Sequence, residues 1–252
     1  AVPLCLAALP DSTGVPAGVL VGDGAGGLHR YALGDAGFVR PGVSVGEQRG
    51  AVLAVAVSPD GAYAFVATDT WAVVVWDLST GKRAHILTGH RASVLALALM
   101  PNGAALLSAD EKGDLRLWDL STGTGRSAAS FDGAVETLAV TPDGEQVAVG
   151  LENGRTIRLA LPEATPLGEW DGHNGWVAGI VFLPGSAALL SAGGDGAVCV
   201  RRVPEGEVIV RQEFGVAFSR LVSAENGVLA LGDEEGGVRV VKIDGGDIAD
   251  GF

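Results

Sequence analysis

Apolar residues along this chain fall in short runs cut by turn residues, not in helical stripes. The run from Val94 to Leu99 is apolar throughout, the pattern of a strand buried on both faces. Ala104 to Ala109 forms a second run, and Glu111-Lys112-Gly113-Asp114 reads as a turn. Leu115-Arg116-Leu117-Trp118 then alternates like a half-buried strand. Ser121-Thr122-Gly123 is a further turn, followed by a poorer fourth strand. Long amphipathic stretches are missing. The pattern predicts an all-β chain built from four-stranded units.

The unit repeats. Pro59-Asp60-Gly61, Pro101-Asn102-Gly103 and Pro142-Asp143-Gly144 each follow an apolar run, and Pro184-Gly185-Ser186 is a looser form. Their prolines are 42, 41 and 42 residues apart. Ala224-Glu225-Asn226-Gly227 fits the same slot without proline, and Pro10-Asp11 opens a longer version. The hexapeptide WDLSTG stands at Trp76–Gly81 and again at Trp118–Gly123. The 252 residues divide into six copies, approximately 1–47, 48–89, 90–130, 131–172, 173–213 and 214–252, read as one domain. A period in this range marks a repeat architecture.

Composition narrows the function. The 39 glycines suit many tight turns. Net charge is −13 with only 17 Lys and Arg, and no basic cluster is present to neutralise phosphates, which argues against nucleic acid. Cys5 and Cys199 are too few for a disulfide scaffold and lie near no second ligand at metal spacing. They read as buried free thiols and leave the compartment open, with the cytoplasm favoured. No apolar run reaches the roughly 20 residues that cross a bilayer. The opening AVPLCLAALP lacks a basic region before it, so a signal peptide fits poorly. It reads better as an innermost strand, since Pro10 matches Pro101.

These features resemble the WD-repeat (WD40) β-propeller family, which has about 40–45 residues and four strands per repeat with Gly-His and Trp-Asp signatures. Gly89-His90 opens the third copy and Trp118-Asp119 closes its third strand; Gly172-His173 opens the fifth, and Trp76-Asp77 closes the third strand of the second. The resemblance covers the whole chain and implies six four-stranded blades around a channel, or seven if a further blade is supplied. Ring closure is the weak point, because the last blade must take its fourth strand from Asp247 to Phe252 or go without.

The resemblance also implies a buried network of His, Ser or Thr, Asp and Trp in a strong blade. The third copy offers His90, Ser108 and Trp118, with Lys112 in the Asp slot. The fifth offers His173, Ser191 and Asp195, with Arg201 in the Trp slot. The second keeps Trp76 but has Gln48, Val66 and Thr70 elsewhere. Phe131 and Phe214 fall where His would stand in the fourth and sixth, and Tyr31 fills the Trp slot of the first. Ser191, His173 and Asp195 together invite a hydrolase reading. They sit in structural slots, however, and no strained nucleophile turn surrounds Ser191. His29 and His85 have no carboxylate or thiol at ligand spacing, so no metal is expected. Gly22–Gly27 is a turn rather than a phosphate loop, since no Lys and no helix follow. No cofactor is called for.

The family resemblance implies a non-enzymatic protein-interaction scaffold, binding a protein or peptide on the channel face. Trp71, in the turn Asp69-Thr70-Trp71, and Trp176, before an inner strand, lie outside the core slots of the repeat; Arg49 and Arg91 precede inner strands similarly. Exposed aromatics and Arg are enriched at binding hot spots. Asp69, Asp110, Glu111, Asp195, Asp233, Glu234 and Glu235 occupy turns of the same class and point to a negative rim for a basic peptide. The alternatives are a structural or sensor domain docked through its blade seam to other domains of a parent chain, and, less favoured, a propeller hydrolase.

Overall fold

The computed structural model describes residues 3–10, 16–34, 37–38, 43–183, 185–223, 228–244 and 247–250. The turn positions Asp11, Pro184 and 224–227, and the last two residues of the expected closing strand, lie outside them. The fold is all-β, a β-propeller of six blades, each an antiparallel meander. No helix occurs among the described residues. Two compact units each hold three blades, residues 1–132 and 133–252.

In the first unit, blade 1 comprises β1 (Pro3–Pro10), β2 (Pro16–Asp23) and β3 (Gly27–Gly34), with its outer position divided between β4 (Gly37–Phe38) and β5 (Val43–Glu47), both paired to β3. Blade 2 is β6 (Val52–Val57), β7 (Tyr63–Thr68), β8 (Ala72–Asp77) and β9 (Lys82–Thr88). Blade 3 is β10 (Val94–Leu99), β11 (Ala105–Asp110), β12 (Asp114–Asp119) and β13 (Thr124–Ser130). In the second unit, blade 4 is β14 (Val135–Val140), β15 (Gln146–Leu151), β16 (Arg155–Ala160) and β17 (Thr165–Asp171). Blade 5 is β18 (Val177–Phe182), β19 (Ala188–Gly193), β20 (Ala197–Arg202) and β21 (Val208–Glu213). Blade 6 is β22 (Phe218–Ser223), β23 (Val228–Asp233), β24 (Val238–Asp244) and β25 (Asp247–Asp250). The opening segment is thus an innermost strand, and the last blade does find a short fourth one.

Turn chemistry sets the register. In WDLSTG the Asp77 Oδ1 accepts from the amides of Ser79 and Thr80 and from the Ser79 hydroxyl; Asp119 repeats this with Ser121 and Thr122. Such an Asx turn gives the backbone an alternative to the ladder and ends the third strand. Gly81 and Gly123 then take φ of 65° and 69°, which glycine adopts without steric cost. Leu78 and Leu120 turn back onto the core.

The core lies between blades, not within them. One cluster joins Leu9 and Leu20 of blade 1 to Ala64, Val66 and Trp76 of blade 2; another joins Phe65, Val73 and Leu87 of blade 2 to Leu106 and Trp118 of blade 3. The second unit repeats the scheme between blades 4 and 5 and between blades 5 and 6. Middle strands carry small apolar residues on both faces, such as Val147–Val149 at 0% exposure, because both faces of a sandwiched sheet are covered.

Candidate functional site

Blade 3 carries a continuous buried relay. His90 Nδ1 donates to Asp110 Oδ2 at 2.9 Å, since a carboxylate can only accept. That leaves His90 Nε2 to accept from Ser108 Oγ at 2.6 Å, and Ser108 Oγ accepts in turn from Trp118 Nε1 at 2.7 Å. All four residues are buried. The carboxylate is Asp110, not the residue in the Lys112 slot. Asp110 lies two positions after Ser108 on β11, so the period of two puts both on one face. Asp110 Oδ1 also accepts from the amides of Lys112 and Asp114. His90, Asp110 and Asp114 bring three potential ligand atoms within 4.8 Å, but both ring nitrogens of His90 are occupied and Asp114 pairs with Arg116 at 3.0 Å.

Blade 5 builds the relay from His173, Ser191 and Asp195. His173 Nδ1 donates to Asp195 Oδ1 at 2.9 Å, and Ser191 Oγ donates to His173 Nε2 at 2.8 Å. Asp195 also accepts from the Asn174 amide and from Arg211 at 2.9 Å. Burial opposes its ionisation, but these hydrogen bonds outweigh burial and hold the carboxyl at about 2. Burial likewise pushes His90 and His173 below their usual value, with the Asp partners opposing only in part. The arrangement has the connectivity of a Ser-His-Asp triad, yet Ser191 is 1% exposed. A substrate carbonyl cannot reach its hydroxyl. Arg201 does not join the relay; it donates to the Gly206 and Asp171 carbonyls instead.

The remaining blades replace the relay. Trp76 donates to Gln48 Oε1 at 3.0 Å, so Gln48 in the His slot bonds the indole directly while Val66 stays apolar. Phe214 packs edge-on against Phe218. His29 has a carboxylate partner after all: Asp23 Oδ2 lies 3.0 Å from its Nε2, brought there across the β2–β3 turn. Cys199 is buried, Cys5 half-buried with its thiol donating to the Val52 carbonyl, and neither is in a disulfide.

The turns between second and third strands share one end of the sheets with the segments that lead into the inner strands. In five blades the third turn residue is a glycine with positive φ: Gly26, Gly113, Gly154, Gly196 and Gly236. In blade 2 it is Trp71, with φ of 69° and 55% exposure. A bulky side chain there is a true outlier, costing about 1–2 kcal/mol. Asp69 and Thr70 abut Gly50, so exposed Arg49 stands beside this turn. Arg91 and Glu111, also exposed, take the corresponding places in blade 3.

Trp176 is placed differently. It is half-buried over Gly194 and packs on the core between blades 5 and 6. The acidic rim also thins. Asp110 is buried and Asp195 half-buried, both engaged in the relays, and Asp233 caps its own turn through the Glu235 and Gly237 amides. Asp69 and Glu111 in the first unit, and Glu234 and Glu235 in the second, remain exposed. The one signal that marks Trp71 apart from Trp176 is its alignment with five glycines, legible once the repeats are superposed.

Blades joined by buried apolar faces, with their variation at exposed turns, define a repeat scaffold of the β-propeller class. Comparison with known proteins agrees. The WD domain, G-beta repeat model matches residues 81–119 and 164–201. These matches, at two repeats, support a WD-repeat (WD40) family. Over 73 residues, 28% of the chain, it is 38% identical to Cilia- and flagella-associated protein 43 of Chlamydomonas reinhardtii, and the match spans 4% of that protein's length. Propellers of this family are typically non-enzymatic scaffolds for protein interaction. Among the described residues no helix is long and apolar enough to cross a membrane.

Proposed function

We propose that the protein is a non-enzymatic interaction module that holds a protein or peptide partner on the turn end of blades 2 and 3, with Trp71 as the anchor. The observation that carries this reading is Trp71 itself: an exposed indole kept in a backbone conformation that every sister repeat gives to glycine. Strain that stability alone would remove points to a function. Arg49 and Arg91 flank the anchor, and Asp69 and Glu111 give it acidic neighbours suited to a basic segment. A second reading, a domain of a longer chain, draws on the small share of the flagellar relative that matches.

The test is the substitution Trp71→Gly. It is expected to raise stability by about 1–2 kcal/mol, or about 2–4 °C per kcal/mol for a chain of this size. Partner capture from cell lysate is expected to fall at least about tenfold, as for a hot spot. Stabilisation with undiminished capture would remove Trp71 from the binding surface. Capture insensitive to salt would remove the basic character of the partner.

A further inference from the structure

The other end of the first unit holds a groove between blades 2 and 3, with a volume of about 1020 Å³. Phe65, Val75, Leu87 and Leu117 are among its lining residues, together with Gly123 of the β12–β13 turn. It lies near the Pro59–Asp60 turn, at the opposite end of β7 from Trp71, so it is independent of the site above.

The second unit shows what the equivalent space holds between blades 4 and 5. Leu87 pairs with Val73 across β8–β9, and Trp170 pairs with Thr156 on the same rung of β16–β17. Two rungs further, on the same face, Val75 corresponds to Arg158. Trp170 packs on the blade 4–5 core, and the Arg158 guanidinium stacks 5.2 Å from its ring. The glycines report the difference. Gly206 and Gly123 stand at the same place after the third strand, each amide bonded back four residues. A Cβ on Gly206 would strike the Trp170 indole, whereas a Cβ on Gly123 would meet nothing within 4 Å. An indole and a cation fill the groove in one unit, and leucine and valine leave it open in the other.

We propose that the groove between blades 2 and 3 docks an aromatic side chain adjacent to an arginine or lysine, supplied by a peptide segment of a protein partner. The aromatic ring takes the place that Trp170 holds between blades 4 and 5. Charge fits the cation: Asp60 and Asp119 line the groove, both exposed, and each uses Oδ1 for its own turn. Arg126, which also lines it, is already engaged within the protein.

The experiment is a titration of the protein with Ac-Arg-Trp-NH2, followed by ¹H–¹⁵N NMR, with Ac-Glu-Trp-NH2, Ac-Arg-Ala-NH2 and free indole as comparisons. Shifts are expected at amides of residues 58–60, 102–105 and 119–126, with the Arg-Trp probe binding about tenfold or more tightly than either altered peptide. Leu87→Trp should fill the groove from within and abolish the shifts. Asp60→Asn with Asp119→Asn keeps the turn acceptors and should bring the Arg-Trp probe down to the affinity of the Glu-Trp probe, so the proposal does not depend on Leu87→Trp folding. Shifts elsewhere, equal binding of the Arg-Trp and Glu-Trp probes, or free indole binding as well as the Arg-Trp peptide would each overturn it. The last result would assign the groove to a small apolar ligand.

Discussion

At the scale of single residues, the buried relays show how the same slots tolerate different chemistry. A relay stabilises only when every member is satisfied, because an unpaired buried group carries its full desolvation cost. Asp195→Ala would leave His173 Nδ1, the Asn174 amide and Arg211 without their acceptor. It is expected to cost about 1–3 kcal/mol, read as a lowered melting temperature; an unchanged one would mean that the relay does not contribute. Phe214, by contrast, substitutes a whole apolar contact and leaves nothing unsatisfied in its slot. The sequence made His90, Ser108 and Trp118 legible, because they fall in the slots that the family resemblance implies. Asp110 escaped because slot alignment follows the loop, while hydrogen bonding follows the face of the strand. Trp71 was legible only as an aromatic out of place; its strain needed the backbone.

Elements differ less in their strands than in what the outer strand delivers to the space between blades. The ends of the inner strands of blades 2, 3 and 4 were readable from the chain, since each is followed by Pro-Asp-Gly or Pro-Asn-Gly, and those residues make the observed turns. The grooves were not readable. Leu87 and Trp170 are both apolar residues on fourth strands, and a hydrophobic pattern does not separate them. Their size relative to the facing turn does. If Trp170 seals its groove, Trp170→Leu, which installs the residue found in blade 2, should lower stability by about 1–3 kcal/mol through the volume it vacates. Calorimetry on this variant beside Leu87→Trp checks the pair. The first should melt lower than wild type and the second higher, and a stable Trp170→Leu would show that the indole does not hold blades 4 and 5 together.

At the scale of the whole molecule, the charge of −13 and the relays pull in opposite directions as pH falls. Protonating exposed carboxylates relieves self-repulsion and favours the compact state. That relief is spread over the surface and screened beyond about 8 Å at physiological salt. The relays act locally and are screened much less. His90 and His173 have folded values below 6.5, so the unfolded chain takes up their protons first, and stability drops as pH falls through that value. Asp195 is depressed from 3.8 to about 2. Its contribution, about 2 kcal/mol, is therefore complete above 3.8 and lost as pH falls towards 2. Asp23 and Asp60 are shifted in the same direction by the hydrogen bonds they accept. The local effects should prevail in about 0.15 M salt, giving a melting temperature that declines below pH 6.5 and more steeply below 3.8. Thermal melts across that range, with Asp195→Asn as the comparison, measure it. The variant should start lower and lose less on the acid side. A wild-type melting temperature that rises steadily on acidification would mean that surface repulsion, rather than the buried relays, governs the stability of the fold.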